Sequence, residues 1–357
     1  MPTPNPLPDS MLAVRVHGPG VLRVDSVPLP ELGDGDALLR VRAAGVCATD
    51  RKLAARGAPG GGPRVLGHEI VAEVFLPGAS KLPVGTRVAV APNVGEGSCP
   101  ACRRGATNLC PDYRAFGIHL DGGMAEYLRV PRAAVDAGHL LSVPAGLADL
   151  DAALLEPLAC CVEGLLASEL RPGDALLVVA AGVMGRLHVV AGRALGAGTI
   201  VVVDRNPERL AHARTLGADV TLAPSDDIAA AVGAATDGRG ADVAAVTIGD
   251  TSAARGALAS LARGGRLNLF AGFGADQGPL AIDANAFHYR GLKLVGTTGA
   301  SMTTLAHTMA LLAGGRLHLG GMVSATYDLA EATRAFEAAG HGSHARVVLL
   351  PGRGTTP

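Results

Sequence analysis

Between residues 157 and 298 the sequence repeats one grammar: an apolar strand, a glycine turn, then a segment of helical period. DALLVVAAGVMGRLHVVAGRALGAG is followed by TIVVVDRNPERLAHARTLGAD, and ADVAAVTIG, GGRLNLFAGF and LKLVGTTG carry the pattern to its end. Strands joined through helices run parallel with right-handed crossovers, so this stretch predicts a doubly wound parallel sheet. Residues 11–150 read differently. Short β-type runs such as ALLRVRAAGV and RVAVAP are separated by Gly, Pro and Asp turns, which predicts a mostly β unit. After 299, helical segments precede a final apolar strand, ARVVLLPG. An α/β chain of two domains is expected, because 357 residues is long for a single core.

Charge and composition exclude several partners. Lys+Arg at 31 against Asp+Glu at 32 leaves a net charge of −1, and aromatics are only 3%, so there is neither a cationic phosphate track nor a set of stacking platforms. Nucleic acid is not expected as a partner. The amino terminus, MPTPNPLPDS, lacks a basic start followed by an apolar stretch, and no run approaches the roughly 18 apolar residues that span a bilayer. A soluble, cytoplasmic protein without a membrane partner is expected.

The turn in VVAAGVMGRLHVV has G-x-G-x-x-G spacing with Ala180 in the first place. Gly182 would let the backbone approach a pyrophosphate and Gly185 would let the helix pack closely, while Val183 and Met184 open the helix whose amino terminus attracts anions. Asp204 ends the next strand, where a carboxylate can bind the adenosine ribose hydroxyls and repel a 2′-phosphate. This favours NAD over NADP. Arg205 beside it works the other way, since a guanidinium could accept that phosphate.

Six cysteines are present, and their spacing in a reducing compartment points to metal before disulfides. Cys47, in CATD, precedes Gly67-His68-Glu69, and Glu156 follows in LLEPLACC. A catalytic zinc takes three protein ligands and keeps an open position. Cys47 and His68 could supply two, Glu69 or Glu156 a carboxylate, and Asp50 could accept the free N–H of His68. A second set, Cys99, Cys102 and Cys110 at C-x2-C-x7-C, is one ligand short of a closed tetrahedral zinc site. Glu96 stands where the fourth would fall.

GVCATD, GHE, the lobe ending GATNLC, DGGMAEY, LEPLACC, the turn at 180–185, VVDRNPERL and ARVVLL, in this order, resemble the zinc-dependent medium-chain dehydrogenases that act on alcohols, polyols and threonine. The resemblance covers roughly residues 12–350. It implies a GroES-like, mostly β catalytic domain from residues 1–157 and 299–357, a Rossmann domain from 158–298, and a catalytic zinc in the cleft. By the same resemblance Cys47 and His68 are zinc ligands, with Glu69 a ligand in polyol-type members and a neighbouring carboxylate elsewhere. Simple alcohol dehydrogenases carry cysteine where this chain has Glu156, whereas sorbitol and sugar types carry Glu-Pro. The resemblance points to polyols.

Thr49 matches the hydroxyl that takes the substrate proton. Lys52 stands where many members have histidine, and could carry the proton onward or contact a polar substrate. Arg346 matches a basic residue reaching the pyrophosphate, Phe270, Thr297 and Gly299 match backbone contacts to the nicotinamide amide, and Arg209 lies along the adenosine. Departures from the pattern are Ala180, Ala72 in place of a glycine, and Glu96 in place of a cysteine. The two alanines are expected to cost little, and Glu96 to complete a structural zinc site of lower affinity. Cys160, Cys161, His188 and His288 are expected to be packing or surface residues. The expected activity is hydride transfer between a polyol, sugar or cyclitol and NAD by a homodimer or homotetramer carrying two zinc ions. The alternatives are a threonine-type amino-alcohol dehydrogenase and a noncatalytic nucleotide-binding relative.

Overall fold

The structure, a computed structural model, describes residues 7–341 and 345–352, so the first six residues of the amino-terminal stretch read above lie outside it. The chain divides into two compact units: Met1–Glu156 with Ala300–Ala313 and Gly321–Pro357, and Pro157–Gly299 with Gly314–Gly320.

The first unit is built on sheets that are antiparallel except where Val323–Tyr327 pairs Arg346–Leu349 parallel. In its larger sheet the spatial order is Leu140–Ser142, Arg87–Val90, Glu69–Leu76, Ala37–Val46, Arg346–Leu349 and Val323–Tyr327, with Tyr127–Val130 also pairing Ala37–Val46. The strand Ala37–Val46 is therefore central. Its small and aliphatic residues are buried, and only Arg40 and Arg42 interrupt them, Arg40 exposed and Arg42 half-buried. The strand Arg346–Leu349 pairs it antiparallel, with Val347 opposite Val46, so residues some 300 positions apart in sequence are neighbours. Apolar side chains from these strands, including Leu39, Val41, Ile70 and Val88, form one core with Phe116.

The second unit is a parallel sheet in the order Val220–Leu222, Ile200–Val203, Leu176–Val179, Ala241–Val246, Leu261–Leu269, Lys293–Gly296. Its strand order reverses at Leu176–Val179, the place where doubly wound folds bind ligands beyond the carboxyl ends of their strands. Leu176–Val179 and Ile200–Val203 are buried throughout, which is why they read as unbroken aliphatic runs rather than alternating ones. The segment Gly314–Gly320 goes with this unit, tied to it where His212 Nε2 lies 2.8 Å from the Gly320 carbonyl oxygen. No local pattern in the sequence marks that excursion. Among the described residues no helix is long and apolar enough to cross a membrane.

Candidate active site

Cys47 caps the helix Ala48–Arg56, and the fourth residue of that motif, Asp50, folds back so that its Oδ2 accepts the Cys47 N–H at 2.8 Å. Asp50 is fully buried, and its other oxygen, Oδ1, accepts the Gly67 N–H at 3.1 Å and lies 3.5 Å from His68 Nδ1. One carboxylate thus fixes both segments that carry the sulfur and the imidazole. Ligand atoms of Cys47, His68 and Glu69 all lie within 4.8 Å of one another.

Glycines let these segments close. Gly67 has φ 96°, and a Cβ there would meet the Met124 side chain at 2.7 Å. A Cβ on Gly45 would lie 2.1 Å from Glu69 Oε2, because the sheet register sets Gly45 opposite Glu69. Gly45 was not singled out in the sequence; its signal is the run of small residues, AAG, just before Cys47.

Arg346, expected to reach the pyrophosphate, is placed against Glu69 and the Val46 carbonyl. It is buried, its Nη2 is 2.9 Å from Glu69 Oε1, and its Nη1 donates to the Val46 carbonyl at 3.1 Å. Burial pushes the Glu69 carboxyl up to about 7, with Arg346 and His68 pulling it back. Burial alone would lower the His68 pKa, but the Asp50 carboxylate and the Cys47 sulfur outweigh it and hold it well above the ordinary value. Glu156 opens the helix Leu155–Ala167, near enough to interact electrostatically with Glu69 and Arg346, though it is not in the close Cys47, His68, Glu69 group. Thr49 is half-buried in the first turn after Cys47, and Lys52 is exposed.

Glu96, Cys99, Cys102 and Cys110 form a second group whose ligand atoms lie within 4.8 Å of one another. Backbone N–H groups of Cys102 and Glu96 point at the sulfurs of Cys99 (3.4 Å) and Cys110 (3.5 Å), and the Glu96 N–H holds the Cys110 thiol below its ordinary pKa. The Glu96 carboxylate accepts from the Ser98 hydroxyl at 2.6 Å and the Ser98 N–H at 3.0 Å, and also from the Cys99 N–H, which pull its pKa down to about 2. It is an anion at any ordinary pH.

In the second unit the helix Val183–Ala194 starts at Gly182 with no side chain capping it. Nothing lies within 4 Å of where a Gly182 Cβ would sit, whereas a Cβ on Gly185 would meet the Ala180 carbonyl oxygen at 1.8 Å. Close helix packing at Gly185 and open space at Gly182 suit a pyrophosphate. Asp204, buried, accepts the Ala181 N–H at 2.6 Å and the Asn206 N–H at 2.8 Å. With Arg205 and Arg209 it lines a cavity of about 660 Å³ that also includes Ile228 and Ile248. Thr297 Oγ1 donates to Asn268 Oδ1 at 3.1 Å, the Phe270 and His188 rings pack edge to face, and Gly299 has φ 61°. Ala180 has φ 76°, in the left-handed region that costs a non-glycine residue ~1–2 kcal/mol. The replacement, expected to cost little because alanine is small, therefore carries a conformational cost instead. Ala72 is different, an ordinary buried strand residue.

Comparison with known proteins gives two family matches: residues 33–138 to the alcohol dehydrogenase GroES-like domain and 184–325 to the zinc-binding dehydrogenase domain. Sorbitol dehydrogenase of Bacillus subtilis (strain 168) is 33% identical over 269 residues, covering 73% of this chain and 75% of that protein. L-threonine 3-dehydrogenase of Pyrococcus horikoshii is 30% identical, covering 96% and 99%. A solved structure from Sinorhizobium meliloti 1021, described as a zinc-binding dehydrogenase bound to NADP, superposes with TM-score 0.88 at 30% identity, covering 96% and 99%. The chain belongs to the zinc-type medium-chain dehydrogenase family.

As a medium-chain dehydrogenase the chain is an oxidoreductase whose cofactors are zinc and a nicotinamide dinucleotide. Its residues fit both groups. In the catalytic unit His68 Nδ1 and both Glu69 oxygens are buried without a well-formed hydrogen bond, beside a cysteine sulfur, a combination of soft and hard donors that suits zinc. Asp50 lies behind Cys47 and His68 with its carboxylate on both segments, and Gly45 leaves room for the Glu69 side chain.

Proposed function

We propose that the protein oxidises a secondary alcohol of a polyol, sugar or cyclitol with NAD, or reduces the corresponding ketone. The observation that carries the polar-substrate reading is Glu156, a carboxyl side chain at the head of its helix close enough to interact electrostatically with Glu69 and Arg346, at the position where the simple alcohol enzymes carry a cysteine. Similarity to a sorbitol dehydrogenase supports it. Bound zinc would polarise the reacting oxygen as a Lewis acid, and the nicotinamide would accept the hydride lost from carbon.

The chain's own residues do the rest. Cys47, His68 and either Glu69 or Glu156 hold the metal, and Asp50 orients the imidazole. Thr49, in the first turn after Cys47, takes the hydroxyl proton of the substrate while giving its own toward the nicotinamide ribose, and the exposed Lys52 meets a polar substituent of the substrate. Gly182, Val183, Met184 and Gly185 receive the pyrophosphate at a helix start, Asp204 and Arg209 hold the adenosine ribose, and Phe270, Thr297 and Gly299 hold the carboxamide. The Glu96, Cys99, Cys102, Cys110 group holds a second, structural zinc.

A threonine-type substrate is the second reading, favoured by the near full-length similarity to a threonine dehydrogenase. A panel of polyols, cyclitols and L-threonine, assayed with NAD and NADP, separates the two. Turnover of L-threonine alone would replace the first reading by the second. Preference for NADP would overturn the cofactor choice, and Asp204→Gly is expected to narrow whatever preference for NAD is measured. A homo-oligomer in the cytoplasm is proposed as well. The strand Lys293–Gly296 is an edge with Leu294 exposed, and Tyr289 nearby is 73% exposed, features that a subunit contact would cover. Light scattering after gel filtration tests it, and a monomer at working concentration would reject it.

A further inference from the structure

We infer that Thr247 is a positioning residue for the cofactor: it holds the phosphate-binding turn in its left-handed shape, a task the glycine missing at Ala180 would otherwise make unnecessary. The inference rests on the reading that the dinucleotide occupies this turn.

Parallel pairing of Leu176–Val179 with Ala241–Val246 sets Val179 beside Val246, so the next residues, Ala180 and Thr247, emerge together at the carboxyl end of the sheet. The Thr247 N–H donates to the Val179 carbonyl at 3.0 Å. Its hydroxyl lies 2.9 Å from the carbonyl oxygens of both Val179 and Ala180, and with one proton to give it shares it between them. From the other side, Asp204 Oδ2 accepts the Ala181 N–H at 2.6 Å. The peptide joining Ala180 to Ala181 is thus gripped at its oxygen by Thr247 and at its nitrogen by Asp204.

That peptide is where an L-residue at φ 76° would otherwise relax. Its carbonyl oxygen points at the helix start, 1.8 Å from where a Gly185 Cβ would be, and Thr247 Oγ1 is 3.2 Å from the same point. Rotation of the peptide would therefore shift Gly182 and the first turn of the helix, the groups meant to meet the pyrophosphate. Hydrogen bonds from Thr247 offset the backbone strain; glycine at 180 would have none to offset.

The test is a double-mutant cycle on the full-length zinc enzyme, reading the Kd for NAD by calorimetry alongside KM and kcat. Thr247→Val is expected to raise Kd and KM for NAD roughly tenfold with little change in kcat, and the same substitution in an Ala180→Gly background less than about threefold. Thr247→Ser, which keeps the hydroxyl, should bind within about twofold of the wild type. If Thr247→Val fails to fold, Thr247→Ala compared with Thr247→Ser in both backgrounds completes the same cycle. Equal losses in the two backgrounds, or none with Ala180 present, overturn the inference. A wild type that binds neither NAD nor NADP overturns the cofactor reading, and this one with it.

Discussion

Arg346 and Glu69 form an ion pair at 2.9 Å with side chains 4% and 0% exposed, bridging the closing strand of the chain to the segment that carries His68. Charges taken this far out of water are held by each other, and removing one leaves the other stranded. Arg346→Met is expected to destabilise the fold by ~3–5 kcal/mol, and the Glu69→Gln, Arg346→Met double replacement to recover most of that loss. Urea denaturation of Arg346→Met, Glu69→Gln and the double replacement checks it; additive losses would show the two side chains to be uncoupled.

Glu96 gives the lobe a carboxylate where a fourth thiolate would close the site. Glu96→Ala is expected to lower bound zinc from about two per chain toward one and to lower the thermal midpoint, whereas Glu96→Cys should hold zinc against chelators better than the wild type does. Elemental analysis before and after dialysis against a chelator reads both. One zinc in the wild type, unchanged by Glu96→Ala, would mean that the lobe binds no metal.

His188 lies fully buried in the helix after the phosphate turn, its Nδ1 2.8 Å from the Met184 carbonyl oxygen. Burial pushes its pKa down from 6.5 to about 4, so between those values the unfolded chain takes up a proton that the folded chain refuses. Stability supplied by the neutral imidazole is complete above the unfolded value and is lost as pH falls through that window, by about 3 kcal/mol in all. Denaturation midpoints measured from about pH 7 downward test this. His188→Leu should flatten that part of the curve, and an unchanged slope would assign it to other groups.

Much of the site could be read in the sequence because its parts are local. Cys47 and Asp50 fall in one helix turn, the lobe cysteines lie close in sequence, and the turn at 180–185 is a strand, glycines and a helix in succession. What could not be read depends on sheet register. Arg346 meets Glu69 because Val347 pairs with Val46 and Gly45 with Glu69, and nothing in ARVVLL or GHE announces that pairing. Thr247 reaches Ala180 the same way, through Val246 beside Val179. The alanine for glycine exchange was visible, but its cost was not, since φ at Ala180 is set by the neighbouring strands rather than by its own residue type.

The central claim is a zinc ion held by Cys47 and His68 where the substrate oxygen would bind. Anomalous diffraction at the zinc edge, from crystals of protein purified without chelator, tests it most directly. The account predicts a strong peak beside Cys47 Sγ and the His68 imidazole, absent in Cys47→Ala. Crystals grown in excess Zn²⁺ with no peak there would contradict it.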